Sequence, residues 1–84
     1  MKVRDITVPT TATNLHELAK QSQRQWSQVF LQAPEANSGT VFFGDASFQL
    51  FELRPKANAM FSMPDTQSLY IVGTSGDKLT VGFQ

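Results

Sequence analysis

Apolar residues in this chain fall into short clusters, broken by glycine, proline and Asx-rich stretches roughly eight to twelve residues apart. No cluster is long enough for a core helix of several turns, and in the clearest of them apolar and polar residues alternate. The C-terminal part is the plainest case. Leu69, Tyr70, Ile71 and Val72 are followed by Gly-Thr-Ser-Gly-Asp at 73–77, and then Leu79, Val81 and Phe83 alternate with Lys78, Thr80, Gly82 and Gln84. The pattern predicts two strands joined as a β-hairpin, with glycine supplying the positive φ of the turn. A chain built of such segments is predicted to be mainly β, a small antiparallel sandwich or barrel of jelly-roll or Greek-key type.

The N-terminal part adds the only helix. Val3, Ile6 and Val8, stopped by Pro9, predict an edge-type strand over residues 3–8, within an N-terminal arm of residues 1–13. Asn14 as N-cap places Glu17 at the third helical position, and Leu15, Leu18 and Ala19 form one narrow apolar stripe. A short helix over residues 14–23 follows. From Trp26 the spacing turns to alternation, with Trp26, Gln28, Phe30 and Gln32 on one face and Ser27, Val29 and Leu31 on the other. The β part runs over residues 26–84. It includes strands at 41–43, at 48–53 and around 60–63, and the second of these looks apolar on both faces with a change of phase between Leu50 and Phe51. At 84 residues, one domain spanning 1–84 is the expectation.

The side chains bound the chemistry. Seven basic and seven acidic residues balance, and the basic ones are scattered, so no footprint for a nucleic-acid backbone is visible. Near-zero net charge leaves little long-range repulsion between copies. With no cysteine, disulfides, zinc fingers and thiolate chemistry are excluded together. His16 is the single histidine and falls on the polar side of the helix, where a solvated surface residue is the plain reading. Asp45, Asp65 and Asp77 each sit beside a glycine or proline, where aspartate stabilises turns. The glycines at 73 and 76 do not complete a phosphate loop, because a strand follows where a helix is required. No catalytic residue, metal ligand or cofactor is therefore assigned. No apolar run could serve as a signal peptide or span a bilayer, so a soluble protein without membrane or nucleic-acid partners is expected.

Aromatic residues are the conspicuous excess: seven phenylalanines, Trp26 and Tyr70. Most phenylalanines fall at buried-looking strand positions. Trp26 and Tyr70, whose polar tips suit a half-wet interface, and Gln28 and Phe30 on the glutamine-rich strand are the candidate contact residues.

Three segments in the second half carry a resemblance. They are Asn-Ser-Gly-Thr-Val-Phe-Phe-Gly-Asp at 37–45, Phe-Gln-Leu-Phe-Glu-Leu-Arg-Pro at 48–55, and residues 69–81 with their Ser-Gly-Asp turn. Their order resembles that of small virion proteins of tailed bacteriophages, the short β-sandwich proteins of the head-decoration or head-fibre kind, over residues 37–81. Lys56 stands after Pro55 where that pattern carries glycine. The resemblance implies a non-enzymatic protein, located in the virion and assembled in the host cytoplasm, that oligomerises or binds other virion proteins in a capsid or appendage. The alternative is a carbohydrate-binding module in which Trp26, Tyr70 and phenylalanines form a stacking platform. A single-strand nucleic-acid binder lacks its basic groove, and an enzyme ranks last.

Overall fold

A computed structural model of the protein describes residues 2–20, 26–62 and 66–84. The mainly β architecture is present as two antiparallel sheets of four strands and one short helix. The elements in chain order are β1 (Lys2–Thr7), β2 (Thr13–Asn14), α1 (Leu15–Ala19), β3 (Val29–Gln32), β4 (Val41–Gly44), β5 (Phe51–Leu53), β6 (Asn58–Phe61), a 3-10 turn (Thr66–Ser68), β7 (Tyr70–Val72) and β8 (Lys78–Phe83). The first sheet has the order β1-β8-β3-β6 and the second β2-β7-β4-β5. Among the described strands, β4 and β5 alone are neighbours in both sequence and sheet, so each other step along the chain passes from one sheet to the other.

That alternation corrects the expected C-terminal hairpin. β7 pairs with β2 and β4, whereas β8 pairs with β1 and β3. Residues 73–77 form a crossing between sheets. Gly76 supplies the positive φ, at 87°, as expected for a turn. The physical reason lies outside the turn, in partners that pull its two ends apart. Gly73 N–H donates to the Pro9 carbonyl at 2.8 Å, and Val8 N–H donates to the Asp77 carbonyl at 2.9 Å.

Alternation in the strands places one apolar set between the sheets. Leu79, Val81 and Phe83 of β8, Val29 and Leu31 of β3, and Ile6 of β1 meet Val41, Leu53 and Ile71 of the second sheet in one buried cluster. Leu15 and Ala19 add the inner side of α1. Asn14 caps this helix as predicted, its Oδ1 accepting from Glu17 N–H at 2.8 Å. The helix ends at Lys20, whose φ of 53° is left-handed, short of the expected residue 23. Residues 21–23 of the predicted helix, and Asp65, lie outside the described residues.

A polar clamp ties two of the crossings together. The buried Asn37 side chain donates to the Lys78 carbonyl and accepts from Lys78 N–H, both at 2.8 Å, as a strand partner would. The Asp77 carboxylate, also buried, accepts from Ser38 N–H at 2.9 Å, Ser38 Oγ at 3.0 Å and Gly39 N–H at 2.9 Å. Asp77 thus serves a distant loop as well as its own turn. Donation by the Ser38 amide, reinforced by Gly39 N–H and Ser38 Oγ, holds its carboxyl below the ordinary value, against the opposing pull of burial. A carboxyl depressed in the folded state stabilises the fold fully above its unfolded-state value, near about pH 4, and loses that contribution as pH falls through the lower folded value. Acid titration followed by circular dichroism is therefore predicted to show stability falling below about pH 4. Asp77→Asn flattens that part of the profile, and an unchanged profile in this variant would contradict the assignment.

Candidate functional site

One apolar surface lies outside the core and a second opens at its margin. The first lies on the outer side of the first sheet. Because Ile6, Leu79, Val81, Val29 and Leu31 point inward, the intervening residues point out. Register then aligns Val3 with Gly82, Gly82 with Phe30 and Phe30 with Met60, one row across all four strands. Val3 and Met60 are 61% and 59% exposed. Gly82, lacking a side chain, leaves a depression of about 380 Å³ between them. The next row is polar, formed by Asp5, Thr80, Gln32 and Asn58, with Thr80 Oγ1 donating to Asp5 at 2.7 Å.

The second surface lies at the β5 edge of the second sheet. Phe43 and Phe51 are register partners on β4 and β5, with ring centroids 5.5 Å apart and planes 23° from parallel. With Leu69, Ser68 and Asp45 they line a second depression of about 450 Å³. Asp45 orders the approach to β5, its Oδ1 accepting from Ser47 N–H at 2.9 Å and Phe48 N–H at 2.8 Å, an Asx turn of the kind expected there. The chain then passes so close to Gly44 that a Cβ on it would sit 2.2 Å from the Phe48 carbonyl oxygen, which makes glycine necessary at that point.

Phe48, Leu50 and Phe51 are 66%, 75% and 66% exposed, which corrects the expected two-sided burial. β5 begins only at Phe51 and is an edge strand, so the residues before it have no sheet neighbour to cover them among the described residues.

The four candidate contact residues do not form one surface. Phe30 sits in the outer row of the first sheet. Gln28 precedes it, half-buried, beside a bulge in which the N–H groups of Ser27 and Gln28 both donate to the Gln84 carbonyl, at 2.8 and 3.0 Å. The extra residue breaks the expected alternation. Trp26 therefore turns to the core side, its ring 5.2 Å from that of the buried Phe83 and Lys2 Nζ 5.9 Å above it. Tyr70 lies on β7 in the other sheet, aligned with Asn14 and Gly44.

His16 departs from a fully solvated residue, since it is half-buried with an enclosed Nδ1 that has no hydrogen-bond partner among the described residues. Sequence reasoning passed over Val3, Met60 and Gly82 as a set, because only strand register brings residues so distant in sequence into one row. Among the described residues, no helix is long and apolar enough to cross a membrane. Comparison with protein-family models, with curated proteins and with solved structures finds no match for this chain.

Proposed function

We propose that this chain is a non-enzymatic assembly subunit with a jelly-roll sandwich, a structural component of a tailed-phage particle that contacts copies of itself and other virion proteins. The observation that carries the assembly reading is the pair of exposed apolar surfaces on different sheets, one across the outer row of the first and one along the β5 edge of the second. Scattered exposed apolar residues need no explanation, but side chains aligned by register into one row form a contiguous patch. Two different patches on one subunit allow more than one contact per copy, as an extended assembly requires. The sheet orders β1-β8-β3-β6 and β2-β7-β4-β5 support the jelly-roll assignment, an architecture common in viral capsid domains. The phage assignment rests on that analogy and on the resemblance over residues 37–81.

The carbohydrate-binding alternative requires Trp26 and Tyr70 on one platform, whereas Trp26 packs inward on Phe83 and Tyr70 lies on the opposite sheet. Two experiments test the proposal. Mass spectrometry of purified particles of the phage that encodes the chain is expected to find it at a fixed ratio to the major capsid protein, and its absence would remove the virion assignment. Met60→Lys, on the first surface, is expected to change stability by no more than about 0.5 kcal/mol while weakening assembly. Assembly that survives both this change and charge placed at the β5 edge would contradict the use of these surfaces.

A further inference from the structure

We infer that β5 is a self-pairing edge, at which two copies join their second sheets antiparallel about a twofold axis passing beside Phe51. This names one contact of the assembly reading above and rests on it. A sheet edge presents unpaired backbone N–H and C=O groups, and proteins usually guard such edges with charge or keep them very short. β1, the edge of the first sheet on one side, carries Lys2, Arg4 and Asp5, and β2 has two residues. β5 carries Glu52 alone, already 3.9 Å from Arg54 just beyond the strand, and is preceded by the exposed Phe48 and Leu50. Among the described residues no strand pairs with its outer side.

Geometry selects a second copy as the occupant. An antiparallel pair related by a twofold axis sets each residue opposite its symmetry equivalent at one position. Centring on Glu52 would oppose like charges, which is unfavourable for a direct cross-strand pair. Centring on Phe51 sets Phe51 opposite its own copy, Leu50 opposite Glu52 and Gln49 opposite Leu53. Phe43 already stacks on Phe51 across β4 and β5, so this register continues the stack through the axis as a row of four rings. At Phe51 the edge is thus complementary to itself, and zero net charge adds no long-range repulsion.

The test uses the whole chain. Light scattering after gel filtration should give an oligomer for the natural sequence. Phe51 is exposed, so Phe51→Lys should keep the far-UV spectrum and melting temperature while raising the concentration for half-association by about tenfold or more. Because the chain has no cysteine, Phe51→Cys introduces a single thiol. Directly opposed antiparallel residues have Cα atoms about 4.5–5.5 Å apart, within disulfide range, so mild oxidation should yield a covalent dimer. Val3→Cys, exposed on the other sheet, should yield far less. An oligomer whose mass and concentration dependence are unchanged by Phe51→Lys would overturn the β5 contact and leave the assembly reading standing. A natural chain that is monomeric at all concentrations would overturn both.

Discussion

Replacing Phe83 with alanine is expected to lower the free energy of unfolding by about 3–5 kcal/mol. Phe83 is a fully buried aromatic residue on β8, a strand flanked by β1 and β3 in the first sheet, and its ring meets Trp26 at 5.2 Å. Truncation removes the apolar area buried on folding and leaves a cavity that neighbouring strands, pinned by their ladders, can fill only in part. At roughly 0.05–0.15 kcal/mol per residue, a chain of this size has about 4–13 kcal/mol in total, so the variant is expected to be largely unfolded at the lower end of that range. Urea unfolding measures the loss, and Trp26 emission, the single tryptophan signal, should shift to the red at low denaturant. A loss below about 1 kcal/mol would mean that the end of the core at Phe83 is not packed as described.

The second large effect is expected at Asn37. Asn37→Ala removes both hydrogen bonds to Lys78 and leaves its N–H and C=O without those partners at a part-buried position, for an expected cost of about 2–3 kcal/mol. Ser38→Ala is the control. It removes one hydroxyl bond to Asp77 while the Ser38 N–H still donates, so about 1 kcal/mol or less is expected. Equal effects in the two variants would show that Asn37 does not act as a strand partner for Lys78. The comparison uses urea midpoints under conditions where both variants unfold in two states.

The class of the fold and most strand centres were legible because alternation is a local signal. Leu79, Val81 and Phe83 read as one buried face and form one. The Asn14 cap was equally local, since a side-chain acceptor and the amide it serves lie within one turn. Connectivity was not legible in the same way. Gly73 to Asp77 has turn chemistry that serves a hairpin and a sheet crossing alike, and what decides between them is Pro9 and Val8, far away in sequence. The clamp from Asn37 and Ser38 to residues 77 and 78 is likewise set by tertiary contact.

Among the candidate contact residues, Phe30 fell on an exposed row because β3 keeps strict alternation there, while Trp26 was misassigned because a bulge between Ser27 and Gln28 inverts the phase before the strand begins. Phe48, Leu50 and Phe51 show the converse error. Apolar character on both sides of a strand reads as burial on both sides, although an edge position leaves such residues uncovered. The phase change between Leu50 and Phe51 was the available signal. It marks where the ordered edge strand starts, not a second buried face.

Sedimentation equilibrium of the natural chain over a wide concentration range tests the central claim, that this protein is an assembly subunit, most directly. A discrete mass that is a multiple of the 9.3 kDa chain, and that falls toward one chain when Phe51 is replaced by lysine, is the predicted result. A mass of 9.3 kDa at every concentration would contradict it.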